Sequence, residues 1–276
     1  MFVTHRADNG VEYVASSIIK SPHAFSTRIG GVSLNSHTSA LNLAFNRGDD
    51  KDTVIENLTR FGRAAGFEPE KVISLPQIHS ATIIRADAQM AGEGYFKDAH
   101  TSCDGYVTSE KGVVLGVKTA DCVPIVLEAE DEKGEIIAVS ALHAGWRGTV
   151  AGIAAEGVKK LVEMGAEPKR IRAAIGPAIG SCCFEIGQDV VDEMNARQQM
   201  TDVEMNAISR NGRLYADLKS INREFLVSCG LDIENIDVCG ECTFCLEDKY
   251  YSHRRMKGVR GTMLSIVFMG KTTENN

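Results

Sequence analysis

Three observations predict an α/β (α+β) sandwich. Short runs rich in Val and Ile recur between turn residues, the helical stretches gather instead of strictly alternating with them, and the apolar content is high enough to fill a core. Strict strand–helix alternation would have favoured a doubly wound sheet or a barrel. Of the 276 residues, 43% are hydrophobic, which excludes disorder for the bulk of the chain. The six prolines are scattered and no Ser/Gly/Pro-rich linker or internal repeat interrupts the sequence, so a single catalytic domain over 1–276 is expected. The polar residues 271–276 read as a frayed tail.

Strands are expected at 72–75, 82–85, 113–117, 122–127, 136–142, 171–175, 236–238 and 263–268, each short and bounded by Gly, Pro or charge. A helix at 52–65 opens with an acidic turn and stops before Gly66. Another at 149–164 carries Ile153, Gly157, Leu161 and Met164 at helical spacing and stops at Gly165. A third, 217–229, starts on Asp217 and ends before Gly230, and a weaker pattern covers 190–200.

Charge and hydropathy narrow the function. Lys and Arg number 30 against 37 Asp and Glu, a net charge of −7 with no basic cluster, which argues against nucleic acid as a partner. No stretch approaches the roughly 18 consecutive apolar residues of a membrane helix. The first residues lack a basic region followed by an apolar run, so a cytoplasmic protein is expected. In a reducing compartment the eight cysteines are buried apolar residues, metal ligands or nucleophiles.

Two of the seven histidines close β-runs: His79 ends 72–79, and His143 ends 136–143 just before the turn Ala144-Gly145-Trp146-Arg147-Gly148. Between two further runs stands Thr119-Ala120-Asp121-Cys122. Two imidazoles and one thiolate make a His₂Cys set, which with an open fourth position is a catalytic-zinc composition. Spacing alone does not bring the three together, and satisfied core histidines with a buried cysteine are the other reading. A competing metal set is Cys239, Cys242 and Cys245, whose overlapping C-x-x-C spacing has only His253 as a nearby fourth ligand.

Anion sites are suggested at three places. Arg28 stands beside the Gly30-Gly31 turn, where a guanidinium and backbone N–H groups suit a phosphate. His253, Arg254 and Arg255 follow Tyr250-Tyr251. Arg147 and the turn at Gly148-Thr149 precede a helix whose free N–H groups could hold an anion beside the histidines.

Taken together, Gln77-Ile78-His79, Thr119-Ala120-Asp121-Cys122-Val123-Pro124, His143-Ala144-Gly145-Trp146-Arg147-Gly148-Thr149, Ile175-Gly176-Pro177-Ala178-Ile179 with Cys183-Phe184-Glu185-Ile186-Gly187, and Cys242-Thr243-Phe244-Cys245 with Tyr251-Ser252-His253-Arg254-Arg255 resemble one family. It is the YfiH-type purine nucleoside phosphorylase family, long described as polyphenol oxidases or laccase-like proteins. The resemblance runs in order over about 26–268. It implies a single-domain αββα-type sandwich with mixed β-sheets, and a zinc held at the positions of His79, Cys122 and His143. It also implies purine nucleosides and inorganic phosphate as partners. The implied reaction is phosphorolysis of adenosine, inosine, guanosine and S-methyl-5'-thioadenosine, with adenosine deamination as a side activity. Arg28 matches the family's R-x-G-G arginine and is the phosphate candidate, with Arg147 and His253 beside it. Family members often read Thr-Gly-Arg after the Ser-His-Arg-Arg segment, where this chain has Arg260-Gly261-Thr262.

Deamination also wants a carboxylate that is not a ligand, for which Asp121 and Glu185 are candidates as catalytic acid or base, or else caps of a turn and a helix. Copper is the alternative metal, since His₂Cys is also a blue-copper composition. A laccase, however, builds its trinuclear centre from paired H-x-H segments, and the chain has none. A zinc-bearing scaffold without turnover is the reading outside enzymology. A homodimer is compatible with the sequence and not required by it.

Overall fold

The computed structural model describes residues 1–270, so the tail expected at 271–276 lies outside the described residues. In chain order the first strands are β1 (Phe2–Arg6), β2 (Glu12–Ser16), β3 (His23–Ser26), β4 (Val72–Ile73), β5 (Ile83–Arg85), β6 (Gly105–Thr108) and β7 (Val114–Thr119). They continue as β8 (Val123–Glu130), β9 (Ile136–Ala144), β10 (Ile171–Ile175), β11 (Glu185–Ile186), β12 (Ile208–Arg210), β13 (Arg213–Tyr215), β14 (Ile236–Val238) and β15 (Met263–Phe268). The α-helices are α1 (Lys51–Ala65), α2 (Trp146–Val150), α3 (Ile153–Glu163), α4 (Gln188–Gln198) and α5 (Leu218–Ser228).

Two six-stranded sheets are ordered β1-β2-β3-β15-β7-β4 and β14-β10-β8-β9-β6-β5, with a small third sheet β11-β13-β12. Both large sheets are mixed: β4 runs parallel to β7, β14 to β10 and β5 to β6, while β8 and β9 pair antiparallel along almost their whole length. Side-chain alternation sorts the core into three slabs. Between the sheets, Phe25, Leu115 and Val117 meet Tyr106, Val126 and Val139. Outside the first sheet, Val72, Val114 and Leu264 pack under Val54, Leu58 and Phe61 of α1. Outside the second, Ile125, Leu127 and Leu142 pack under Val158 and Leu161 of α3 and Phe225 of α5. The result is an αββα sandwich in which every residue of β8 is buried, which is why its residues 123–127 read as a continuous apolar run instead of an alternation, while Glu128 and Glu130 beyond them pair with Arg172. Each such Val, Leu or Ile contributes about 1.5–3 kcal/mol by leaving water.

The ends of α1 follow the expected chemistry. Asp50 caps the first turn by accepting from the Thr53 N–H at 2.7 Å, and Gly66 ends the helix in the left-handed region at φ 77°. The helix expected over 149–164 is instead two, α2 and α3, because Gly152 between them stands at φ 82°. The strand run expected to reach His79 ends at Ile73, and the chain beyond it is a loop held by side chains. Strands β1, β2, β3 and β6 carry too little regular alternation to be read from sequence; β1 is an edge strand exposed along most of its length.

Candidate metal centre and adjoining cavities

His143 lies near the end of β9, on the strand face that looks between the two sheets, and is buried. Its backbone N–H donates to the Asp104 carbonyl at 2.7 Å, and its Nδ1 lies 2.8 Å from Asp104 Oδ1. That contact leaves Nε2 as the ring nitrogen free to bind a metal. Cys122 stands between β7 and β8, directly after Asp121, whose backbone takes φ 90°. His79 also takes a left-handed conformation, φ 60°, in the loop after β4. The Asp104 carboxylate pins that loop: it accepts from the backbone N–H of Ile78, His79 and Ser80 at 3.3, 2.9 and 2.6 Å, and from the Ser80 hydroxyl at 2.7 Å. A fully buried carboxylate therefore positions two of the three candidate ligands. Burial pushes its pKa up, but the hydrogen bonds from His143 and Ser80 outweigh this and hold it below the ordinary range.

His79 Nε2 lies 4.0 Å from Cys122 Sγ, the two imidazole rings cross at 80° with centroids 4.9 Å apart, and the three donor atoms all lie within 4.8 Å of one another. Donors sharing one tetrahedral zinc stand about 3.5 Å apart, so the trio reaches that geometry by closing less than about 1.5 Å. Burial raises the Cys122 thiol, yet the His143 charge and the hydrogen bonds from His143 and His79 bring it down to about 6. For His143, burial works against the charge, but Cys122 and Asp104 raise it to about 9. A thiolate and two imidazoles with an oriented Nδ1 fit zinc by donor chemistry and by spacing. Gly145 is needed beside them, since a Cβ there would come 2.8 Å from His79 Cδ2 and 3.3 Å from Cys122 Sγ.

The trio sits where two cavities meet. One, of about 890 Å³, is lined on the cationic side by Arg47, Lys97, Lys118 and Arg260. The other, of about 440 Å³, is lined by Trp146, Ile179, Phe184 and Leu218, with Arg147 and His253 at its polar side. His79, Cys122, Arg47 and Arg260 border both. Burial, followed by the Arg47 charge, lowers the Arg260 pKa to about 10. Its buried Nε has no partner among the described residues, while Nη1 donates to Thr262 Oγ1 at 2.5 Å.

Other candidates are placed differently. Arg28 borders neither cavity: Nε and Nη2 donate to the Ser39 carbonyl at 2.8 and 2.5 Å, Nη1 donates to that of Glu247 at 3.0 Å, and the guanidinium lies over the Tyr251 ring. Asp121 faces the smaller cavity, but its carboxylate is occupied by the Thr243 and Ser252 hydroxyls and the Arg254 N–H at 2.7, 2.9 and 2.7 Å. Glu185 is on β11, caps no helix, and pairs with Arg213 at 3.1 Å. Arg147 lies over its neighbour Trp146 at 4.2 Å. The set Cys239, Cys242, Cys245 with His253 is not formed. Cys239 is buried elsewhere, His253 lines the smaller cavity, and Cys242 and Cys245 meet Cys182 and Cys183 instead. Sequence reasoning missed Asp104, Arg47, Lys118 and Arg260. Asp104 directly precedes β6, a strand the sequence does not reveal, so its position carried no signal.

The family described as multi-copper polyphenol oxidoreductase laccase matches residues 22–270. The chain is 36% identical over 258 residues to a purine nucleoside phosphorylase of Deinococcus radiodurans, covering 94% of this chain and 93% of that protein. It is 35% identical over 244 residues to adenosine deaminase RL5 of an unknown prokaryotic organism, covering 86% and 90% of the two chains. The crystal structure of YlmD from Geobacillus stearothermophilus superposes with a TM-score of 0.86 at 30% identity, over 98% of this chain and 100% of that one. With the αββα fold, the sequence identity and the matched motifs all in agreement, the chain belongs to the YfiH/YlmD purine nucleoside phosphorylase family, the laccase-domain family.

Proposed function

We propose that the chain is a zinc-dependent purine nucleoside phosphorylase acting on adenosine, inosine, guanosine and S-methyl-5'-thioadenosine, with adenosine deamination as a side reaction. The observation that carries the reading is the position of His79, Cys122 and His143 at the junction of a cation-lined cavity and an aromatic one. Phosphorolysis needs a dianion on one side of the ribose and a flat, largely apolar base on the other. Arg47, Lys118 and Arg260 suit the dianion, and the Nε of Arg260, without a partner among the described residues, is a donor for it. Trp146 and Phe184 suit the purine. Zinc held by the trio supplies Lewis-acid polarisation and water activation. His253, held below the ordinary histidine range first by burial and then by Arg260, lines the same cavity with an imidazole that can hydrogen-bond the purine.

Relatives named for phosphorolysis and for adenosine deamination support one site serving both reactions. The copper-oxidase reading draws on the family description and on the His₂Cys composition, and the absence of any H-x-H pair weighs against it. The deciding assay is inosine with purified protein, with and without inorganic phosphate, read as hypoxanthine. Phosphate-dependent release is expected. Equal release without phosphate would make the chain a hydrolase, and no release from any nucleoside would leave a zinc-binding protein without this activity.

A further inference from the structure

Apart from the trio, Cys182, Cys183, Cys242 and Cys245 bring their sulfurs within 4.8 Å of one another. Cys182 and Cys183 follow β10 in the loop that also carries Ile179 and Phe184, two residues of the cavity wall. Cys242 and Cys245 form a C-x-x-C chelate in the loop after β14. We propose that these four cysteines bind a second zinc ion, a closed structural site that ties the two loops together beside the active centre.

Sulfurs sharing one tetrahedral zinc stand about 3.8 Å apart. Cys245 Sγ lies 3.8 Å from Cys182 Sγ and 3.4 Å from Cys183 Sγ, so it belongs to no single partner, as a disulfide would require. In a polynuclear iron–sulfur cluster the four cysteines are divided among two or more irons, so the sulfurs of the whole set spread wider than these do. The backbone is arranged for a thiolate. The Gly180 N–H donates to Cys242 Sγ at 3.2 Å. Gly180 also makes room, since a Cβ there would come 3.1 Å from Cys182 Sγ. Four thiolates leave a net negative charge around zinc, and Arg210 donates to the Ser181 carbonyl next to Cys182.

The consequence is mechanical. Ala178 and Cys242 form an isolated β-bridge, and Arg255 ties the second loop inward by donating to the Thr243 and Phe244 carbonyls at 2.7 Å each. Zinc between the loops would fix Phe184 and, through the Arg254 contact with the Glu185 carbonyl at 2.9 Å, the neighbouring cationic wall.

The test counts metal in the full chain, purified under reducing conditions and supplied with zinc. The wild type should hold about two zinc ions per chain and Cys122→Ala about one. Cys242→Ser should lose the other and keep the ion at the His₂Cys trio. Cobalt in Cys122→Ala should give the intense charge-transfer bands of a four-thiolate site. That measurement decides the matter if Cys242→Ser fails to fold. Cys122→Ala protein that folds without binding zinc, bound iron in place of zinc, or peptide mapping that finds Cys245 disulfide-linked to Cys182 or Cys183 would each overturn the proposal. None of these readouts depends on nucleoside turnover, so they are separable from the phosphorylase reading.

Discussion

Asp104 Oδ1 stands 2.8 Å from His143 Nδ1, while the same carboxylate accepts the backbone N–H groups of Ile78, His79 and Ser80. One buried acid thus sets the tautomer of one candidate ligand and the backbone of another. Asp104→Asn keeps the volume but turns a donor toward groups that are themselves donors. Zinc affinity at the trio should fall about 10- to 100-fold, the usual effect of losing an outer-shell partner. Competition with a chromogenic chelator measures it, and unchanged affinity would deny Asp104 its positioning role.

Gly145→Ala tests the same centre from the other side. The added methyl meets the edge of the His79 ring and the Cys122 sulfur, so it should displace ligands while the sheets remain intact. Weaker zinc binding with a native far-UV signal is expected. Native affinity would mean that the ligands have more slack than the packing suggests.

The layers of the fold were legible in the sequence because β8, β9, β10 and β15 lie between covered faces and advertise this as Val/Ile runs. Strand β1 was not, since an exposed edge strand needs no apolar pattern. The trio was legible from residue type, but the reason given for His79 was not the structural one: it lies beyond the strand, in a loop held by Asp104. The cationic cavity was illegible for a different reason. Arg47, Lys118 and Arg260 come from three distant segments, and only the tertiary fold reveals that they share a space while Arg28 turns to backbone carbonyls.

Arg28 and Arg260 should therefore separate stability from substrate affinity. Arg28→Ala removes the stack on Tyr251 and donors to two carbonyls, and should cost about 2 kcal/mol of stability while leaving the phosphate KM unchanged. Arg260→Ala should raise the phosphate KM about tenfold or more. Thermal melts and phosphate titrations of both variants check this, and a raised phosphate KM in Arg28→Ala alone would restore the role expected from sequence.

Lys118 supplies a pH signature. Burial, then the Arg47 charge, pulls its ammonium from 10.5 down to about 8. The group is charged below that value and neutral above it, so phosphate affinity should weaken as pH rises through about 8, where phosphate is already a dianion. The stability linkage has the opposite sign. Between the folded and unfolded values the unfolded chain binds more protons, and stability from this group increases with pH. Lys118→Gln should raise the phosphate KM and remove that pH dependence. A wild-type KM that stays flat through this range would remove Lys118 from the phosphate site.

The metal's role in the chemistry is the most discriminating question. Three protein donors leave zinc a position for substrate or water, and both cavities open onto it. If zinc at the trio only stapled the fold, mild chelation would lower stability and activity together. If it acts in the reaction, chelation should abolish hypoxanthine release from inosine while the far-UV signal stays native, and added zinc should restore turnover. Adenosine deamination, which needs an activated water, should disappear in parallel. Cys122→Ala separates this centre from the four-cysteine site: turnover should be lost there although about one zinc per chain remains. Full-rate phosphorolysis by folded Cys122→Ala protein would refute catalysis through the trio, and the phosphate and purine contacts of the two cavities would then have to carry the reaction alone.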